Sequence, residues 1–63
     1  MTIKELRSRS GLTQREFAEK YHISIRTLQG WESCHRTPPQ YIPVLIEYIM
    51  DLERRIYDYE ENN

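Results

Sequence analysis

Cysteine is nearly absent from these 63 residues. The single Cys34 excludes an internal disulfide and suits a reducing compartment such as the cytoplasm. Glycine is as scarce. Gly11 and Gly30 cannot build a glycine-rich phosphate loop, and no G-x-S-x-G is present, so two common enzyme signatures are missing. No apolar run is long enough to cross a bilayer, and Met1-Thr2-Ile3-Lys4 does not read as the start of a secretory leader. There is no repeat, no low-complexity linker and no strand-like alternation. His22, Cys34 and His35 lack zinc-ligand spacing, so neither a metal nor a cofactor is expected. So short a chain also leaves little room for a walled pocket. The expectation is one domain over residues 1–63, not an enzyme, near the size at which one core is marginal.

What the chain has in abundance is helix starts. Thr13 with Glu16 makes a T-x-x-E capping box, with Leu12 and Phe17 at the two hydrophobic-staple positions around it. Thr2 with Glu5, and Met1 with Leu6, repeat both devices. Ser24 offers a third hydroxyl cap, with Ile23 and Leu28 as its staple. Three starts within 24 residues predict three short helices. The first runs from about Ile3 to Arg9 and stops near Gly11, with Ile3 and Leu6 inward. The second runs from Gln14 to about Tyr21 and buries Phe17, Ala18 and Tyr21. The small Ala18 lets another helix cross close by. The third runs from Ile25 to about Glu32, with Leu28 and Trp31 inward. Thr37-Pro38-Pro39 cannot lie inside a helix, so Ser33 to Pro39 is a loop. A fourth helix starts near Gln40, with Pro43 tolerated in its first turn, and reaches about Tyr57.

The net charge of −1 conceals a division. Residues 1–36 hold seven basic and four acidic side chains, a balance of +3, whereas residues 37–63 hold two basic and six acidic ones, a balance of −4. Such polarity fits a protein that meets a polyanion with one end only. The asymmetry is modest and equally compatible with a plain solvated surface. The fourth helix is apolar over more than one face. A stripe at Ile42, Leu45, Ile46, Ile49 and Leu52 suffices to close a three-helix core. Val44, Tyr48, Met50, Ile56 and Tyr57 then lack cover, with Leu52 at the border, and a helix apolar nearly all round expects burial on two sides. These residues are the candidate surface for a homodimer or another protein partner. Exposed tyrosines on an ordinary amphipathic helix are the competing reading.

Between Leu6 and Pro39 the motifs Gly11-Leu12-Thr13-Gln14, Phe17-Ala18, Ile23-Ser24, Thr27-Leu28-Gln29, Trp31-Glu32 and Arg36-Thr37-Pro38 stand in one order and spacing. As a set, over slightly more than half of the chain, they resemble the helix-turn-helix domain of the phage repressor and Cro (XRE) family, including its antitoxin-type members. The resemblance implies an all-α, four- to five-helix phage-repressor-like fold with a long C-terminal helix. Residues 13–32 form the helix-turn-helix unit, and the dimerisation or partner helix covers about 40–58.

It also implies roles. Ile25, Arg26, Gln29 and Gly30 occupy the positions that face base edges. Arg26 can bond a guanine at two points, Gln29 an adenine, and Ile25 can cover a thymine methyl. Arg26 fits a phosphate nearly as well. Gln14 matches a glutamine that bonds a phosphate and braces the recognition helix, a role that suits a helix N-terminus. Thr13, Arg15, Ser24, Thr27, His35 and Arg36 are the further phosphate candidates. Arg7 and Glu32 match an ion pair tying helix 1 to the end of helix 3. The chain departs from its relatives where they often carry glycine, at His22 and Cys34. A positive φ at His22 would be tolerable but unusual for histidine. Gly30 is the reverse, a glycine where a polar reader is common. It should cost roughly 1 kcal/mol against alanine, and close approach to DNA would be its return. The expected function is sequence-specific regulation of transcription, as a repressor bound to a palindromic DNA site as a dimer. The alternative is an antitoxin or interaction module whose fourth helix holds a protein such as a toxin.

Overall fold

The computed structural model describes residues 1–61, which form four helices and, among those residues, no strand. They are α1 (Ile3–Ser10), α2 (Gln14–Lys20), α3 (Ile25–Glu32) and α4 (Tyr41–Glu61). The all-helical expectation holds, and α4 runs about one turn further than the sequence indicates.

Two of the three helix starts form as the hydroxyls predict. Thr2 Oγ1 accepts the Glu5 N–H at 3.1 Å while Glu5 Oε1 accepts the Thr2 N–H at 3.1 Å. Thr13 and Glu16 repeat the exchange at 3.1 and 2.9 Å. Ser24 does not. It stands at the N-cap of α3, but its side chain makes no cap bond. The residue three places on is Thr27, which cannot supply the reciprocal carboxylate that Glu5 and Glu16 provide.

The helix ends share a design of their own. α1, α2 and α3 each stop at a left-handed residue: Gly11 at φ 72°, His22 at φ 56° and Cys34 at φ 65°. After α2, the Ile23 N–H reaches the Ala18 carbonyl at 2.8 Å and the His22 N–H the Glu19 carbonyl at 3.3 Å. After α3, the His35 N–H reaches the Gly30 carbonyl at 3.0 Å and the Cys34 N–H the Trp31 carbonyl at 3.4 Å. Both are Schellman motifs, which satisfy the last carbonyls of a helix and normally use glycine at the left-handed position. The departure at His22 thus carries the positive φ considered from sequence, and Cys34 does the same.

Ile3, Leu6, Phe17, Ala18, Leu28 and Ile46 form the buried core, with Leu12, Tyr21, Ile23, Trp31, Ile42 and Met50 packed against it. Of the three staple pairs, Leu12 with Phe17 and Ile23 with Leu28 lie wholly in this cluster, whereas Met1, paired with Leu6, is 52% exposed and outside it. The α4 stripe is narrower than expected. Only Ile42, Ile46 and Met50 turn inward, whereas Leu45, Ile49 and Leu52 remain 49%, 42% and 54% exposed. Three helices of seven or eight residues present a small platform, wide enough for one i, i+4, i+8 row and no more. Met50, expected at a partner surface, belongs to that row and to the core. Beyond it, every described residue from Leu52 onward is exposed.

Left-handed backbone costs an L-residue roughly 1–2 kcal/mol relative to glycine, offset in part by glycine's greater freedom when unfolded. Cys34→Gly should therefore raise stability by about 1 kcal/mol, or roughly 4–8 °C in Tm for a domain of this size. His22→Gly should gain less, because histidine tolerates this region better than most residues. Thermal melts under reducing conditions measure both, and a fall in Tm for Cys34→Gly would contradict the assigned backbone.

Candidate nucleic-acid interface

The polar surface of α3 is held from behind by a hydrogen-bonded chain. Arg7 on α1 meets Glu32 at two points, Nε to Oε2 at 2.7 Å and a terminal nitrogen to Oε1 at 2.9 Å. Its other terminal nitrogen donates to the Leu12 carbonyl at 3.2 Å. The Gln14 amide donates to Glu32 Oε1 at 3.4 Å, and the Gln29 amide donates to Gln14 Oε1 at 3.4 Å. The chain therefore runs from α1 through the end of α3 to the first residue of α2, and back to the middle of α3. The Glu32 side chain is only 6% exposed and that of Arg7 22%. The ion pair taken from the family resemblance is thus present and largely shielded. The Arg7 guanidinium holds the Glu32 carboxyl below the usual carboxylate range, and the same bond raises Arg7 above its ordinary value.

In front of this brace, Ile25, Arg26 and Gln29 are exposed on α3. Thr27 is half-buried beside Leu28. Arg15 on α2 is exposed and shares a shallow depression with Ser24 and Ile25 at the start of α3. Because Ser24 leaves the first amides of α3 uncapped, that end can accept an anion directly. Thr13 uses its hydroxyl oxygen as an acceptor in the cap of α2, and its proton remains free to donate outward. On the other flank Ser33 Oγ lies 2.8 Å from His35 Nδ1, which fixes the ring in the loop after α3.

Gly30 differs from its expectation. A β-carbon there would meet the Arg36 side chain, with Cδ at 3.4 Å and Cγ at 3.5 Å. The Arg36 stem lies across the glycine, so a protein side chain stands where a base was expected. The Gly30 carbonyl also accepts the His35 and Arg36 N–H groups at 3.0 and 3.1 Å, anchoring the loop. Lys4 went unrecognised in the sequence. It lines a depression with Gln14, Gln29 and His35. The available signal was its place one turn before Arg7, since Arg7 itself reaches the end of α3.

The charge division also acquires a geometry. Lys20 pairs with Glu53 at 2.8 Å, Arg9 with Asp51 at 3.9 Å and the Met1 ammonium with Glu47 at 4.0 Å. Acids of α4 thus neutralise cations on the side of the body that α4 crosses. Among the described residues, Lys4, Arg15, Arg26 and Arg36 form no ion pair.

A helix-turn-helix family model matches residues 3–41, well over half of the chain. The protein belongs to the XRE-type helix-turn-helix family. The match begins with α1 and ends at the first residue of α4, so it takes in the whole braced unit. Membership makes this XRE-type protein a DNA-binding regulator, and the family domain is typically not enzymatic. No curated protein and no solved structure gives a significant match. No helix of the described residues is long and apolar enough to cross a membrane.

Glu32 makes the fold sensitive to acid. Its carboxyl is depressed in the folded state, so its contribution is fully present above the unfolded value near 4.3 and disappears as pH falls through the lower folded value. Glu32→Gln leaves Arg7 shielded without a counter-charge, which should cost about 2 kcal/mol at neutral pH, between the exposed and deeply buried cases. The gap between wild type and variant should narrow on acidification toward pH 3. Urea titrations at neutral and acid pH measure it, and a gap that stays constant would show the pair contributes nothing.

Proposed function

We propose that the protein is a sequence-specific transcriptional repressor of bacterial or phage cytoplasm, binding a palindromic operator as a homodimer with α3 in the major groove. The supporting observation is the braced exposure of one edge of α3. Ile25, Arg26 and Gln29 face outward, Leu28 is buried beneath them, and Gln29 is tied through Gln14 to the Arg7–Glu32 pair. A reader held this firmly meets bases without losing freedom on binding.

In this reading Arg26 takes a guanine edge or the adjoining phosphate, Gln29 an adenine, and Ile25 a thymine methyl. Gln14, Arg15 and Ser24 hold phosphates at the two helix starts, Thr13 and Thr27 assist them, and His35 and Arg36 grip the backbone on the opposite flank. Gly30 seats Arg36 instead of touching a base. Two copies would set their α3 helices about 34 Å apart, in successive major grooves on one face of the duplex. With few free cations per copy, binding should be weak for a monomer and steeply salt-dependent.

A second reading has its own support. Val44, Tyr48, Leu52, Ile56 and Tyr57 are between 51% and 63% exposed on α4, a surface that an antitoxin could offer to a toxin. The two readings are compatible in one molecule.

Selection from random duplex DNA should return a two-fold-symmetric sequence. An Arg26→Ala, Gln29→Ala protein with unchanged helicity should lose roughly 5- to 150-fold in affinity per side chain removed, at roughly 1–3 kcal/mol for each base contact. Unchanged sequence preference in that variant would leave α3 without its readers and end the proposal.

A further inference from the structure

Around α4, advancing about 100° per residue, the side chains sort into three sectors. Ile42, Ile46 and Met50 face the core. Glu47, Asp51, Arg54 and Asp58 lie to one side. On the other side Tyr41, Val44, Tyr48, Leu52, Ile56 and Tyr59 form a mainly apolar row, each between 51% and 72% exposed, with one cation, Arg55, set among them. The row mirrors itself along the chain. Tyr48 and Leu52 stand two residues either side of Met50, Val44 and Ile56 six, and Tyr41 and Tyr59 nine. A row with that symmetry matches a second copy of itself running in the opposite direction, side chain for side chain.

We infer that α4 pairs antiparallel with α4 of a second copy, about a two-fold axis at Met50. This rests on the homodimer reading above and specifies its geometry. The surface is large enough. With the flanking Leu45 and Ile49, the exposed part of the row amounts to on the order of 700 Å², near the roughly 800 Å² per partner of a stable interface.

Charge selects the direction. The last turn of α4 carries no basic residue, and Asp58, Glu60 and Glu61 crowd its end. Acids there oppose the helix dipole, which favours cations at that end and anions at the N-terminus. Parallel pairing would set two such ends side by side. Antiparallel pairing brings each acidic end to the start of the partner's α4, whose first turn has no acidic residue. An apolar groove opens there between α1, the loop after α3 and α4, with Val44 and Tyr48 in its wall. Lys4 lines it and forms no ion pair among the described residues, whereas Glu32 and Glu47 in the same wall are already paired. The acidic end of one copy therefore meets a free cation of the other.

The test joins solution mass to site-directed cross-linking in a Cys34→Ser background, which removes the one native thiol. Val44→Cys and Ile56→Cys proteins are prepared separately and treated with a bismaleimide reaching about 10 Å, the spacing of packed helices. Mixed together they should cross-link to each other. Each alone should not, because identical positions lie about 18 Å apart along antiparallel helices. The dimer should also weaken as salt rises. A dimer in which each variant cross-links to itself, strengthened by salt, would overturn the antiparallel arrangement while leaving the homodimer intact. A mass that stays monomeric at high concentration would overturn both.

Discussion

The two-point contact between Arg7 and Glu32 sets the geometry on which the rest depends. α1 contributes few buried side chains, chiefly Ile3 and Leu6, and α3 only Leu28. Apolar packing of that extent is non-directional and leaves short helices free to rotate or slide. A bidentate guanidinium–carboxylate pair is directional, and shielding strengthens it. It fixes the end of α3 against α1, and the Leu12 carbonyl adds the start of α2 to the same guanidinium. Three helices thereby share one polar hinge point beside the surface that faces outward.

Charge is arranged by the same economy of elements. α4 closes the core with one narrow row and uses acids beside it to neutralise Arg9 and Lys20. These exposed pairs add little stability. Their effect is to leave Lys4, Arg15, Arg26 and Arg36 as the unpaired cations of the first three helices and the loop beyond; Arg54 and Arg55 of α4 likewise form no ion pair among the described residues. A chain whose net charge is −1 thus presents a locally cationic face, and the sum over the sequence conceals it.

Much of this was legible in the residues, for identifiable reasons. Capping boxes are local, so Thr2–Glu5 and Thr13–Glu16 announced α1 and α2 without tertiary information. Short amphipathic helices have one good face, so Ile3, Leu6, Phe17, Ala18 and Leu28 fell inward as their spacing requires. The family motifs carried Arg7 and Glu32, whose 25-residue separation no local rule would join. α4 resisted because its apolar residues cover two sectors, and periodicity cannot tell which sector meets the body. Hence Met50 was placed outside, Leu45 and Ile49 inside and Leu52 at the border. Ser24 stands at the N-cap position its hydroxyl predicted but makes no side-chain bond there. Gly30 misled for another reason: what fills the space over a glycine is decided by a distant side chain, here that of Arg36.

The hydrogen bond from Gln29 to Gln14 has a directional consequence. A glutamine amide carries two N–H groups and one oxygen, and the brace engages one of those N–H groups. One donor and one acceptor are left unused by the brace. That pair of opposite polarity complements N7 and N6–H₂ on the Hoogsteen edge of adenine, and mismatches guanine, which offers acceptors alone. Choice between the purines would then be set from the rear of the helix, by a residue that need never touch a nucleobase.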